Sequence, residues 1–492
     1  MRCVRLACFV LALLILGGPA PVRARTASPV VDSDAITAYV EAQMRRHRLP
    51  GVAVVVTRGE DVVYLEGFGS AGEGRPVTPQ TPFYIGSVSK PVTALAVMQL
   101  ADEGVIELDT PVQRYLPWFA VADPEVSCAI TVRHLLQQTS GLSNAGYPPP
   151  LYPEGTTMET AVRDLRSANP VAPPGTRFHY FNPNYTVLGV LIEEVTAQSY
   201  AAYVHEHIFE PLEMVRSLAP QEPAGVEGLA TGHNLFFGVS VPRQQPLFTH
   251  DLPAGFIIST AEDLAHFLMA QVRQGRYGEI AVLSADAVVE MHTPPAEVPS
   301  DYALGWVVTE QEGMRLVRHN GAVDTFYTDV ILVPDEEIGI AVLTNQNGLL
   351  PLVLTYVPFA DGLVDVVLGR EPVPGPSVGL LAALVTGVVL ADLARHGVVI
   401  ARLSGWRERV KYKSRSRQLL SVAWQHLLVP AVVAVLVVMM LLAVGPHALR
   451  VTWLYLMPDI GLWLMVTVLL FLVEGIVKLS SIFGEARDTD RY

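Results

Sequence analysis

The chain has 492 residues, a formal net charge of −14 and 50% hydrophobic residues. That length is too great for one ordinary core and leaves room for a large domain plus a further region, while the acidic balance argues against a nucleic-acid partner. The three cysteines are Cys3, Cys8 and Cys128, too few for a disulfide framework or a cysteine-based metal site.

Residues 1–24 read as a signal peptide: Arg2 and Arg5 precede an apolar run from Leu6 to Leu16, and small residues Val22 and Ala24 follow. An uncleaved anchor is the alternative, because Pro19, Pro21, Arg23 and Arg25 crowd the cleavage region. Either reading exports what comes next. Residues 28–369 have the texture of a globular domain, with short apolar runs punctuated by Gly and Pro. Helical patterns are expected over 34–47, 87–103 and 184–196, and a β-hairpin over 51–57 and 61–68 around Arg58-Gly59-Glu60. Ser259-Thr260-Ala261-Glu262 resembles a capping box opening a helix through Phe267. Strand-like runs return over 304–309, 315–318, 325–333 and 339–344. Strands at both ends with helices between predict one α+β domain whose sheet joins the N- and C-terminal segments.

Residues 370–377, with Glu371-Pro372-Val373-Pro374-Gly375-Pro376, read as a stiff linker. Residues 378–479 then read as a membrane domain of about three transmembrane helices, since roughly 20 apolar residues suffice to cross. The spans lie near 378–391, which can extend towards 401 only across Asp392 and Arg395, near 427–444 and near 460–473. Between the first two stand Arg402, Arg407, Arg409, Lys411, Lys413, Arg415 and Arg417 against the single acid Glu408. The positive-inside rule places that loop in the cytoplasm, with residues 480–492 as a cytoplasmic tail and 28–369 outside a multi-pass cell-membrane protein. Glu474 and Lys478 are four apart and can pair along a helix, a structural role preferred to a proton path.

Three short motifs carry the chemistry: Ser87-Val88-Ser89-Lys90, Tyr180-Phe181-Asn182 and His319-Asn320-Gly321. A serine hydroxyl is a weak nucleophile unless a base stands within reach, and a lysine three residues along a helix lies one turn away on the same face. The start of the predicted helix adds free N–H groups and a dipole that favour developing negative charge. An S-x-x-K string alone occurs by chance about once or twice in a chain of this size, so the company it keeps matters. Other candidates are weaker. His205 and His207 suit a polar helix face better than a metal, and Asp263 suits a helix's first turn better than a Ser-His-Asp triad. No G-x-S-x-G elbow, H-E-x-x-H or P-loop string occurs.

These motifs, with Pro174-Gly175-Thr176-Arg177-Phe178-His179-Tyr180-Phe181-Asn182-Pro183-Asn184-Tyr185, resemble the serine β-lactamase and penicillin-binding-protein superfamily, closest to its class C-like, D-aminopeptidase and esterase branch. The resemblance covers about residues 49–345 and is supported by Thr139-Ser140-Gly141-Leu142, Pro253-Ala254-Gly255-Phe256 and Leu304-Gly305-Trp306. It implies a β-lactamase/transpeptidase-like fold, an antiparallel sheet flanked by helices plus a helical subdomain, and a serine hydrolase acting on an amide, peptide or ester without a cofactor or metal. By position it makes Ser87 the acylated nucleophile, and Lys90 and Tyr180 the base and acid. Tyr180 would act as phenolate or proton shuttle with its pKa lowered by Lys90. Asn182 would orient Lys90 and the substrate, while Gly321 and Ala322 would line the substrate and the N–H groups of Ser87 and Ala322 would form the oxyanion hole. His319 stands where many relatives carry Lys, so an imidazolium there would hold a substrate carboxylate only below about pH 6.5. Asp324-Thr325-Phe326 also departs from the second glycine and Phe common in relatives. Expected partners are a small-molecule or peptide substrate and membrane lipid. Two rivals stay open: a penicillin-binding protein with weak β-lactamase or D,D-carboxypeptidase activity, and a slowly acylated sensor ectodomain.

Overall fold

The structure, a computed structural model, describes residues 31–489 except 149, 151, 154, 222–225, 349–355, 374, 376, 411 and 452–456. The expected signal peptide lies outside the described residues, as do two residues of the linker and the last three of the tail. Helix α1 (Ser33–His47) starts at Asp32, whose side chain accepts from the Ala35 N–H, and stops where Arg48 turns left-handed. Strand β1 (Gly51–Arg58) pairs with β2 (Asp61–Gly72) as the expected hairpin, and a short β3 (Arg75–Pro76) forms the sheet edge.

The predicted helix at 87–103 divides in two. A 3₁₀ turn, Gly86–Val88, leads into α2 (Ser89–Asp102), in which every residue from Ser89 to Leu100 is buried. An apolar surface all round suits a helix at the centre of a fold. Helix α3 (Pro183–Thr196) packs beside it, and a hairpin of β4 (His233–Phe236) and β5 (Val239–Pro242) follows. The turn α4 (Leu252–Gly255) then leads to α5 (Ala261–Val272), which packs on β1. Its cap differs from the expected Ser259–Glu262 box. Thr260 is the cap and accepts from the Asp263 N–H, because Ser259 is already paired with Phe83 in a short strand and bonded to the Ser217 hydroxyl.

Strands β6 (Val307–Gln311), β7 (Met314–Val323), β8 (Phe326–Val333) and β9 (Ile338–Thr344) complete a seven-stranded antiparallel sheet of order β6-β7-β8-β9-β1-β2-β3. Strand β7 runs five residues beyond its predicted end at Arg318, carrying His319, Asn320 and Gly321 into register with Val330, Asp329 and Thr328. A two-residue strand β10 (Gln346–Asn347) joins β4 in parallel, and α6 (Val357–Val367) closes the domain against α1. Alternation decides which face each sheet residue serves. Val52, Val54 and Val56 pack with Ile340, Val342, Tyr39 and Phe359 under α1 and α6. Ala53, Val55, Ala341 and Leu343 face the larger core shared with α2, α3 and α5. Each fully buried Val, Leu or Ile contributes about 1.5–3 kcal/mol. The fold is therefore α+β with the sheet between two helical layers.

Beyond the linker come α7 (Val378–Ala401), α8 (Arg415–His426), α9 (Leu428–Val451) and α10 (Pro458–Thr489). Among the described residues two helices are long and apolar enough to cross a membrane, Val378–Ala401 and Pro458–Phe483. A third candidate is the pair Arg415–Trp424 and Leu428–Met439, bent by 40°. The polar interruption expected in the first span is matched by donors from α10: Asp392 accepts from Trp463 Nε1 at 3.1 Å and Thr467 Oγ1 at 2.7 Å. The β4–β5 hairpin meets this bundle, with the Phe237 N–H donating to Asp459 at 3.2 Å.

Candidate active site

Two backbone segments cross closely at Ser87, and glycine permits it. Gly86 has φ +55°, and a Cβ on it would lie 2.4 Å from the Ala322 nitrogen; a Cβ on Gly321 would lie 1.9 Å from the Ile85 carbonyl oxygen. Without side chains at these two positions, the turn before α2 sits directly on β7, which brings Ser87 and Ala322 side by side in the cavity wall.

Lys90 rises from the first turn of α2 and is wholly buried. Its Nζ lies 3.1 Å from Ser87 Oγ, 2.8 Å from Asn182 Oδ1 and 2.6 Å from the Ala254 carbonyl oxygen. Two of these three partners can only accept. A neutral amine has two N–H groups and one lone pair, so those two oxygens take both protons and the lone pair is left for the Ser87 O–H. Burial pulls Lys90 from 10.5 to about 7, against the nearby Asp251 carboxyl, which raises it. The neutral form is therefore well populated at neutral pH.

Tyr180 faces the same cavity. The residue is 40% exposed, but its hydroxyl is hydrogen-bonded with Ser87, and the Lys90 Nζ lies 4.7 Å from the ring centroid. Burial pushes the phenol well above its ordinary 10, Ser87's hydrogen bond opposes this, and Asp251 adds to it. The expected lowering by Lys90 is not what this environment produces, since burial of the phenol is the largest effect. Burial thus favours the neutral phenol, the form that can relay a proton.

His319 sits on β7, 3% exposed, with Nδ1 2.7 Å from the Asn320 carbonyl and Nε2 3.1 Å from the Tyr302 hydroxyl. The carbonyl can only accept, so Nδ1 carries the proton and Nε2 accepts from Tyr302. Burial and then Lys90 hold the imidazole down to about 3. It is neutral across the whole range in which an exposed histidine would titrate, so the imidazolium expected below pH 6.5 has no place here.

The cavity holds about 350 Å³, with Ser87, Tyr180, Asn182 and Ala322 on its wall and Tyr152, Phe248 and Phe256 among its aromatic lining. Asp251 and Asp324 line it as well. His250, another lining residue, is held at about 4 by burial. Asp251 had no motif to mark it. Its Oδ2 accepts from Asn182 Nδ2 and its Oδ1 from Thr186 Oγ1, both at 3.3 Å. The other candidates lie elsewhere: Asp263 accepts from the Arg216 N–H and the Ser217 hydroxyl, His205 lies 3.3 Å from Glu210, and His207 stacks on Tyr203.

Residues 36–355 match the family model described as Beta-lactamase. Protein flp of Staphylococcus aureus (strain MW2) is 28% identical over 327 residues, 66% of this chain and 64% of that protein. Unguisins hydrolase ungD' of Aspergillus campestris (strain IBT 28561) is 29% identical over 332 residues, 63% of this chain and 60% of its own length. The chain thus spans less than two thirds of the length of these relatives. Of solved structures, an octameric penicillin-binding protein homologue from Pyrococcus abyssi aligns with a TM-score of 0.59 at 29% identity, over 69% of this chain and 78% of that one. A D-stereospecific amidohydrolase from Streptomyces sp. aligns with a TM-score of 0.54 at 26% identity, over 64% of this chain and 94% of that one.

Proposed function

The chain belongs to the Beta-lactamase family, and on that premise we propose that it is a membrane-anchored serine hydrolase that cleaves an amide, peptide or ester through an acyl-enzyme at Ser87. The observation that carries this reading is the contact of Ser87 Oγ with Lys90 Nζ at 3.1 Å, with the amine brought to about 7 by burial. Neutral Lys90 takes the Ser87 proton as Oγ attacks the substrate carbonyl, and the N–H groups of Ser87 and Ala322 receive the oxyanion. The proton then passes from Lys90, through the Tyr180 hydroxyl, to the leaving amine or alcohol as its bond to carbon breaks. Water attacks the ester, gives its proton to the same pair, and Ser87 leaves protonated with the acid product released.

A neutral His319 offers no cation for a substrate carboxylate, which favours amides, peptides and esters over penicillins. The name of the amidohydrolase is in keeping with an amide substrate, and that of the unguisins hydrolase with hydrolysis. We place the catalytic domain outside the cell, because Arg402, Arg407, Arg409, Lys411 and Lys413 follow the first candidate span directly and precede the next, with Arg415 and Arg417 at the start of α8. The test is a panel of D- and L-amino-acid anilides, short esters and a chromogenic cephalosporin on the full chain in detergent. Turnover of an amide or ester that Ser87→Ala abolishes supports the reading. Turnover that survives the substitution, or none with any substrate, contradicts it.

A further inference from the structure

Lys90 is placed by partners that are themselves placed. Asn182 can present either end of its amide to Lys90, and only the oxygen accepts from an amine; the nitrogen would compete for its lone pair. The choice is made by what stands on the far side. Asp251 lies there, and a carboxylate only accepts, so Asn182 turns its NH₂ to Asp251 Oδ2 at 3.3 Å and its oxygen to Lys90 at 2.8 Å. Thr186, one turn along α3 from Asn182, donates to the other carboxyl oxygen at 3.3 Å. Asp251 also opens the segment whose third following residue, Ala254, supplies the second carbonyl to Lys90.

We infer that Asp251 is a positioning residue for the reaction proposed above, acting on Lys90 through the Asn182 amide. It rests on that reading of Ser87 and Lys90. The carboxyl fixes the orientation of the amide and places the countercharge one side chain away from the amine. A carboxylate in direct contact with Lys90 would hold it as an ammonium. Held behind an amide, it moderates the effect of burial instead, and it is the group that raises Lys90 against desolvation. The other titratable groups around the pair are Tyr180 and Tyr185, whose rings lie 4.7 and 5.6 Å from Nζ, His319 on β7, and His250 and Asp324 on the cavity wall. His319 and His250 are held neutral and Tyr180 and Tyr185 are pushed upward, so none of these four changes charge near pH 7.

The test is the rate of acylation of the full chain by a fluorophosphonate probe, followed against pH and probe concentration, which needs no natural substrate. Wild type should show an acid limb with a midpoint of about 7. Asp251→Asn should move that midpoint down by about one unit and lower the maximal rate, with little change in the concentration giving half-maximal rate. Asp251→Glu, which keeps the charge, should return the midpoint towards that of wild type, and Thr186→Val should leave it in place. An Asp251→Asn limb superimposed on wild type, a change confined to half-saturation, or an equal shift in Thr186→Val would overturn the inference. Wild-type protein that takes no label at Ser87 would instead overturn the reading on which it rests.

Discussion

Two buried lysines stand in opposite surroundings. Lys90, in the Beta-lactamase domain, meets two neutral carbonyl oxygens and a hydroxyl, with the Asp251 carboxyl behind an amide. Lys478, in the C-terminal helix bundle, meets a chain of ionisable groups: His426 at 2.8 Å, Glu474 3.3 Å beyond it, and His396 2.7 Å from Glu474. The pair of Glu474 and Lys478 expected from their spacing is linked through His426 on a neighbouring helix, with His396 on the far side of the carboxylate. The contrast teaches that burial alone does not make a base. A lysine among neutral acceptors, with one hydroxyl on its lone-pair side, can take a proton from that hydroxyl. One closed into a polar network ties helices together.

The largest expected effect separates the two directly. Lys90→Met should slow fluorophosphonate acylation by about 10²–10⁴-fold, whereas Lys478→Met should leave the rate unchanged; an equal loss in both would erase the distinction. Stability supplies a second reading of the same pair of proteins. Because Lys90 is lowered in the folded state, the unfolded chain binds the extra proton between about 7 and 10.5, so this residue's contribution to stability rises with pH across that window. Denaturant titrations should show that rise in wild type and a smaller one in Lys90→Met.

Tyr180→Phe should slow acylation by about 10²-fold without moving the acid limb, since the phenol titrates far above neutrality. A shift of that limb would return the tyrosine to the part of the base. A smaller effect is expected at His319. His319→Gln loses the hydrogen bond with Tyr302, worth about 1 kcal/mol or a few-fold in rate. In wild type, kcat/KM for carboxylate-bearing and neutral substrates should follow the same curve between pH 5 and 8; a fall through about 6.5 for the carboxylate alone would show a charged imidazole.

The smallest expected effect on catalysis is none. Glu474→Gln should leave acylation intact and lower the bundle's thermal stability in detergent by about 0.6 kcal/mol, the usual scale for interhelical polar contacts in membranes. A slowed Ser87 reaction would mean that the bundle acts on the site, for which the Phe237–Asp459 contact provides a route.

Much of this was legible in the sequence where local chemistry is repeated along the chain. Alternating valines predict β1, and the run of apolar residues after Lys90 predicts α2. Ser87 and Lys90 were readable because their spacing lies within one turn. Asp251 was not, because its role depends on Asn182, 69 residues away in sequence, and no spacing rule joins them. The neutrality of His319 was hidden for the same reason: it follows from burial and from the nearness of Lys90, which only the folded chain brings about. The cap of α5 was misplaced by one residue because Ser259 had a strand partner in Phe83 that lies far away in the chain.

The central claim is that a neutral Lys90 activates Ser87. It is tested most directly by peptide mapping after fluorophosphonate labelling at a series of pH values. The account predicts an adduct on Ser87 whose rate of formation rises with pH through about 7 and is lost in Lys90→Met. Label on another serine, or a Ser87 rate that stays flat through neutrality, would contradict it.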